Sequence, residues 1–236
     1  MVLRSTIWGL FVFFLIAGTA GAQQTTTPDV NMIVARMMAV RHQNHDRTKA
    51  YIVKRDYQLF DKQSQPKAQV VAEITYLPPD QKQYRIERSS GGLGEKVLRD
   101  ILAKETESSK EAQRKEISPE NYDFKLVGEE TVDGRRCFVL SMQPKRQEKD
   151  MLRGKLWVDT ETYNLYRIEG QVVKSPSWWV RDLYILMSFA CIDGVWLHTA
   201  THAVADIRFK GKYVMDSHDL QYSPAPQAFA RLKGSY

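Results

Sequence analysis

Two pairs of histidines are the first candidates for metal chemistry in this sequence. His198 and His202 are four residues apart in a β-rich segment, and His42 and His45 are three residues apart at the end of a predicted helix. The first pair would face the same side of a strand about 13 Å apart, too far to share a metal ion. The second pair is favoured by the helix dipole, which stabilises cations at that end. We therefore predict packed or solvent-facing histidines and no metal site.

The sequence also lacks the common catalytic motifs. It contains no G-x-S-x-G elbow, P-loop, G-x-G-x-x-G fingerprint or H-E-x-x-H pair. The run Gly91-Gly-Leu-Gly94 is too short to cradle a phosphate and predicts a break before a helix. The carboxylates are scattered, with no pair suited to acid and base roles. We predict that the protein is not an enzyme, with no catalytic residues and no cofactor.

The only two cysteines, Cys137 and Cys191, exclude a four-thiolate zinc site. Each lies in a predicted strand among apolar neighbours, which favours two small buried thiols. A disulfide is the alternative, because an exported protein reaches an oxidising compartment.

Export itself is predicted from the first 22 residues. Arg4 precedes eleven apolar residues, Ile7 to Ala17, and Ala20-Gly-Ala22 offers a small-residue cleavage site. A membrane-spanning helix needs about 20 apolar residues, so this block is too short to anchor the chain. We predict a signal peptide over residues 1–22 and a single domain over 23–236, soluble in the periplasm. That location disfavours a nucleic-acid partner despite the net charge of +6.

The rest of the chain shows two amphipathic helices and about ten strands. Thr27, Pro28 and Asp29 resemble a capped helix start, and a second apolar stripe begins at Leu93. The far half of that second helix, 104–116, is almost all charged or polar and predicts a solvated face. Asp-Gly pairs at 133–134 and 193–194 predict type I′ hairpins. The predicted strands are 51–60, 68–77, 83–88, 122–131, 135–143, 152–159, 165–173, 183–192, 195–209 and 212–222.

Strands joined by such short turns indicate an antiparallel meander. A ten-stranded meander curls strongly, and two one-sided helices can cover its concave face. We therefore predict a mostly β (α+β) fold: an open, strongly curved antiparallel β-barrel whose two helices form lids over a hydrophobic cavity.

Four segments carry a resemblance to a known family: Asn121–Leu140, with its G-R-R-C-F-V-L phrase, Leu152–Asp159, Leu165–Glu169 and Ser175–Trp179. Together they resemble the LolA-like outer-membrane lipoprotein-sorting proteins over residues 30 to 222. The resemblance implies a curved barrel whose cavity takes the acyl chains of lipoproteins crossing the periplasm. In envelope-stress regulators, related domains bind lipid-bearing ligands. In the carrier a strand arginine beneath the lid controls opening, and Arg55 lies on the first predicted strand here.

We therefore expect a non-enzymatic periplasmic carrier of lipoproteins or other acylated or lipid ligands, with envelope membrane proteins as loading or receiving partners. The alternative is a cell-envelope sensor or interaction module that holds a protein partner in the same barrel. Inward strand positions, rim tryptophans and lid residues form the predicted ligand-binding set: Val34, Met37, Met38, Ile74, Tyr76, Tyr84, Ile86, Trp157, Ile168, Trp178, Trp179, Ile185, Met187 and Phe189. Ordinary core packing is the alternative role for each of them.

Overall fold

A computed structural model describes residues 28–106 and 115–225. The predicted signal peptide, residues 1–22, and most of the charged stretch after the second helix lie outside the described residues. In the described part, ten antiparallel strands and two helices confirm the mostly β prediction. None of the described helices combines the length and apolar character needed to cross a membrane.

The elements follow the predicted order with small shifts at their ends. In chain order they are α1 Val30–Arg47, β1 Tyr51–Phe60, β2 Pro66–Leu77, β3 Gln81–Ser89, α2 Leu93–Thr106, β4 Tyr122–Val132, β5 Arg135–Pro144, β6 Leu152–Asp159, β7 Leu165–Val172, β8 Val180–Ile192, β9 Val195–Ile207 and β10 Gly211–Pro224. The first helix is capped by Asp29, whose carboxylate accepts the Asn31 N–H at 3.0 Å. Thr27, the other predicted capping residue, lies outside the described residues.

All ten strands form one sheet in the order β3-β2-β1-β10-β9-β8-β7-β6-β5-β4. The first and last strands of the described residues, β1 and β10, pair with each other along the whole of β1, from Tyr51 opposite Pro224 to Phe60 opposite Val214. The described parts of β3 and β4 are edges that do not pair with each other, so the sheet is open at the point where α2 is inserted. The structure therefore shows an open ten-stranded sheet that does not close into a barrel.

Glycine residues explain two of the hairpin turns and one close contact between neighbouring strands. Asp133 and Asp193 have φ of 50° and 49°, each followed by a glycine with φ of 79°, as type I′ turns require. In β6, a methyl group added to Gly154 would lie 2.0 Å from the Glu169 carbonyl oxygen of β7. Glycine is therefore the only residue that permits this approach of the two strands.

The two helices cover different parts of the sheet. Helix α1 places Ile33, Val34 and Met37 in the first core, with apolar side chains of β4 to β7. Helix α2 places Leu98 and Leu102 in the second core, with side chains of β1 and β2. Each helix has one apolar stripe, so each buries one side against the sheet.

A third, smaller cluster lies on the opposite face of the sheet. It contains Cys137, Val139 and Trp157. Both cysteines are free thiols; Cys137 is buried as predicted, whereas Cys191 is exposed, so the prediction of burial is wrong for Cys191. Cys191 is the penultimate residue of β8, beside the Asp193-Gly194 turn, where the sheet ceases to shield its side chain.

Candidate functional site

The face of the sheet that carries the helices is continuous from one core to the other. The pairing places Ile168, Met187, Thr201, Ser217 and Tyr57 side by side across five strands, β7, β8, β9, β10 and β1. Directly opposed residues of antiparallel strands project on the same side. We call this side the inner face, and its middle strands β8 to β10 join the two cores.

A buried group of charges lies on the inner face where β9, β10 and β1 meet the end of α2. The Arg55 guanidinium, in a residue only 4% exposed, donates to the Glu105 and Asp219 carboxylates and to the His198 carbonyl oxygen. The Tyr57 hydroxyl donates to the other Glu105 oxygen at 2.6 Å. We refer to Arg55, Tyr57, Glu105, His198 and Asp219 as the central cluster. It ties α2 to three strands through one arginine.

The hydrogen bonds of His198 define its protonation state. Nη1 of Arg55 lies 3.2 Å from His198 Nδ1, and an arginine can only donate, so Nδ1 is the unprotonated nitrogen. The proton of the neutral ring is therefore on Nε2, which donates to the Thr201 hydroxyl at 2.8 Å. Both nitrogens are engaged, so His198 has no free nitrogen to act as a base.

The electrostatics agree with that assignment. Burial, with the Arg55 charge, lowers the pKa of His198 to about 4. Burial raises the pKa of Asp219. In Glu105 burial is the largest single influence and opposes ionisation, but the attraction of Arg55 and the Tyr57 hydrogen bond together keep its pKa below the ordinary value. The cluster therefore holds one arginine cation, neutral His198 and a firmly ionised Glu105.

Lys82 faces the same region from β3. Desolvation lowers its pKa, with Glu105 acting in the opposite direction, even though the residue is exposed to solvent. Lys82 opposes Tyr76 of β2, which opposes Tyr51 of β1, so it lies on the inner face.

The two strand histidines lie on opposite faces, so the prediction that they share a side is wrong. The pairing of β8 with β9 shifts by one residue, because Ser188 opposes Ala200 while Phe189 opposes His198. This bulge turns His198 to the inner face and leaves His202 on the outer face, where Nδ1 is 2.6 Å from Asp216. Among the described residues, no group of three or more His, Cys, Asp or Glu could hold a metal ion.

The structure divides the predicted ligand-binding residues among several environments. Val34, Met37 and Ile168 are buried in the first core, with Met38, Ile185, Met187 and Phe189 half-buried at its border. Ile74 is buried in the second core, and Ile86 packs against that core. Tyr76 is buried, with its ring stacked on Tyr51, and Tyr84 is exposed on β3.

The three predicted rim tryptophans are not brought together with that set. Trp157 is buried on the outer face in the cluster with Cys137, because it alternates with Leu156 and Val158 of the first core. Trp178 and Trp179 are exposed in the loop before β8.

The central cluster was largely missed by the sequence reasoning. Arg55 was named only through the resemblance to the carrier, and His198 only as a packed or solvent-facing histidine. Glu105 falls in the charged stretch that was expected to be solvated, yet its side chain turns inward. The available signal was a pattern of Arg, Tyr and Asp on strands that otherwise carry apolar residues on the same face. The two carboxylates that contact Arg55 are far from it in sequence: Asp219 is 164 residues away and Glu105 is 50 residues away. No local pattern predicts these contacts.

The fold and site together define a protein with one antiparallel sheet, whose inner face is covered by α1 and α2 at the two cores. A model of a family described as uncharacterized protein-like matches residues 102–229. Because this match covers more than half of the chain, the protein belongs to that family. None of the curated proteins matches the sequence.

Several solved structures are similar to this chain at low sequence identity. A DUF1329 family protein from Desulfovibrio piger ATCC 29098 is 14% identical, with a TM-score of 0.48 over 86% of this chain and 97% of that one. A LolA superfamily protein from Nitrosomonas europaea is 12% identical, with a TM-score of 0.38 over 85% and 95%. The Pseudomonas aeruginosa MucA/MucB complex includes a chain 14% identical, with a TM-score of 0.26 over 81% and 99%. Likeness at this distance transfers neither a ligand nor a partner.

Proposed function

We propose that this protein is a non-enzymatic carrier that binds the acyl chain of a lipoprotein or another lipid on its inner face. The observation that carries the proposal is the half-buried apolar row of Ile185, Met187 and Phe189 on β8. This row borders the first core and continues the inner face toward the second core. An apolar surface with this placement is suited to a ligand that is itself long and apolar.

The energetics fit reversible binding. Burying each methylene of an acyl chain contributes about 0.8 kcal/mol, so a chain of sixteen carbons gains on the order of 12 kcal/mol. Loss of translational and rotational freedom costs about 4 to 15 kcal/mol. The difference leaves moderate affinity, which suits a carrier that must also release its cargo.

The central cluster supports a role in binding rather than in catalysis. His198 is neutral with both nitrogens engaged, and Glu105 is held ionised by Arg55. Neither group is therefore available to take a proton from a substrate near neutral pH. In this proposal the cluster forms the polar border of the apolar row and holds α2 over the sheet.

The setting of the proposal is the periplasm. Residues 1–22 act as a signal peptide, residues 23–236 form the single mature domain, and envelope membrane proteins load or receive the cargo. The open sheet curves into an incomplete barrel, with α1 and α2 as lids over the ligand.

Displacement of a fluorescent fatty-acid probe from the purified protein tests the proposal. Ile185→Glu places an unpaired charge in the apolar row and should weaken probe binding at least tenfold. Leu220→Glu on the exposed outer side of β10 is the matched control and should bind as the wild type does. Met37 is fully buried, so a charge there would report on folding rather than on binding.

Saturable binding that Ile185→Glu weakens and Leu220→Glu preserves supports the carrier. A folded wild type without saturable binding, or equal binding by both variants, contradicts it. In that case the result supports the alternative, which is a module that binds a protein partner on the same sheet.

A further inference from the structure

Three aromatic side chains project into solvent at one end of the sheet. Trp178 is 77% exposed, Trp179 is 41% exposed and Phe209 is 94% exposed. The first two lie in the loop before β8, and Phe209 lies in the turn between β9 and β10. The Arg208 N–H donates to the Trp179 carbonyl oxygen at 2.8 Å, so the loop and the turn are joined. We call this group the aromatic tip.

Folding does not explain Phe209. A phenylalanine that stays exposed contributes almost none of its apolar surface to the core. Its φ of 66° places it in the left-handed region, which disfavours bulky side chains and favours glycine or asparagine. Both effects count against phenylalanine at this position, so its presence indicates a contact outside the folded chain.

The backbone that carries the tryptophans is fixed. The Ser175 hydroxyl contacts the carbonyl oxygens of Ser177 and Val180, and the Val180 N–H donates to the Ser177 carbonyl oxygen at 3.1 Å. Val180 itself is buried and pairs with Ile207. The tip therefore presents its rings from an ordered loop, which lowers the entropy lost when they are buried against a partner.

The charges around the aromatic tip indicate that its partner is negatively charged. Five exposed cations surround the tip: Lys174, Arg181, Arg208, Lys210 and Lys212. They outnumber the two neighbouring carboxylates, Asp182 and Asp206, which oppose each other across β8 and β9. At the other end of β9 the turn is Asp193-Gly194, with an acid and no aromatic ring. The two ends of the same strand pair are thus opposite in character, and only the tip end combines cations with exposed rings.

We propose that the aromatic tip docks this protein onto the surface of an anionic phospholipid bilayer. Tryptophan and phenylalanine insert at the level of the headgroups, where an apolar ring and a polar boundary are both accommodated. Lysine and arginine beside them are attracted by anionic lipids. This surface is separate from the inner face and does not depend on whether that face holds an acyl chain.

Flotation with lipid vesicles tests the proposal, using the exported chain purified without detergent so that every variant shares one N-terminus. Vesicles of phosphatidylcholine with phosphatidylglycerol are compared with phosphatidylcholine alone, at low and high salt. The wild type should float with the anionic vesicles and lose most of that binding at high salt. The double variant Trp178→Ser, Phe209→Asn should bind about tenfold more weakly.

Each cation changed in turn, Lys210→Gln or Lys212→Gln, should weaken binding about fivefold on anionic vesicles. Val127→Ser removes a similarly exposed apolar side chain from β4 and should leave binding unchanged. Phe209→Asn alone should keep or raise the unfolding midpoint, because asparagine accepts the left-handed backbone. This measurement separates lost binding from lost folding.

Three results would overturn the proposal. One is a folded wild type that does not bind anionic vesicles at low salt. In that case the aromatic tip would be a binding site for a protein partner. Another is undiminished binding by the folded double variant. The third is a loss in Val127→Ser as large as the loss in the tip variant.

Discussion

The two helices are held to one sheet by different forces. Helix α1 buries Ile33, Val34 and Met37 in the apolar first core, and its Asn44 amide exchanges two hydrogen bonds of 2.7 Å with the Trp196 backbone. Helix α2 buries two leucines in the second core, and Glu105 in its last turn forms an ion pair with Arg55.

The difference predicts different responses to conditions. The ion pairs of α1, Arg41 with Glu116 and His45 with Asp80, are partly exposed to water and contribute little to stability. Its apolar burial and neutral hydrogen bonds depend little on pH or salt. Buried charges are costly to desolvate, and their balance changes when one partner is lost. The α2 half of the molecule is therefore expected to respond to protonation and single charge substitutions, whereas the α1 half responds to lost volume.

The largest effect is expected from Arg55→Ala. Removal of the guanidinium leaves Glu105 and Asp219 without their main partner, and breaking a buried ion pair in this way costs about 3 to 5 kcal/mol. Urea unfolding measures the loss, and amide exchange should show α2 opening while α1 stays protected. The matched control is the triple variant Arg55→Met, Glu105→Leu, Asp219→Leu, which should recover much of the stability. A loss below about 1 kcal/mol for Arg55→Ala would remove the contrast between the halves.

Met37→Ala should have the next largest effect, and in the other half. Met37 is fully buried, and removing a buried methionine side chain costs about 2 to 5 kcal/mol through lost transfer energy and the cavity left behind. Neighbouring Met38 is only half-buried, so Met38→Ala should cost less in the same urea titration. If Met37→Ala exposed the amides of α2 as strongly as those of α1, the two helices would form one cooperative unit.

Lowering the pH should weaken the molecule through His198. Its pKa is about 4 in the folded protein and about 6.5 in an unfolded chain. Between these values the unfolded state binds more protons, so the free energy of unfolding falls as the pH falls through this window. The expected decrease is about 3 kcal/mol from pH 6.5 to pH 4.

Unfolding titrations at several pH values measure this decrease. His198→Asn keeps an acceptor near Nδ1 and should flatten the slope, while His202→Asn on the outer face should retain it. An unchanged slope in His198→Asn would assign the acid sensitivity to other groups.

The smallest effect is expected from Tyr57→Phe. The variant loses one hydrogen bond to Glu105, whose side chain is 24% exposed and can recruit water in its place. The cost should be about 1 kcal/mol, with faster amide exchange only at the end of α2. Tyr166→Phe removes an exposed hydrogen bond of 2.8 Å to Asp133 and should be nearly silent. Equal costs for the two variants would mean that burial adds nothing to the Tyr57 contact.

Local patterns were sufficient for the elements. The alternation from Tyr51 to Phe60 gave the bounds of β1, and the Asp-Gly pairs gave two hairpins, because each depends only on neighbouring residues. The order of the strands was harder to predict. A meander implies that β3 pairs with β4, but the insertion of α2 separates them, and β1 pairs with β10 instead.

Alternation placed Ile74, Ile168 and Ile185 on the inner face as predicted. Trp157 was expected at the rim with them, although it alternates with Leu156 and Val158 and lies on the outer face. One bulge at Thr199 of β9, opposite Ser188 and Phe189, reversed the expected relation of His198 to His202. A bulge is set by the fit of two strands, which one strand's sequence does not encode on its own.

The sequence by itself determined which segments are helices and strands, because propensity, alternation and turn chemistry act over a few residues. Only the tertiary structure decided that Arg55, Glu105, His198 and Asp219 meet. The physical reason is that a charge finds its partner through the register of distant strands. That register is set by the total burial of both cores rather than by any local signal.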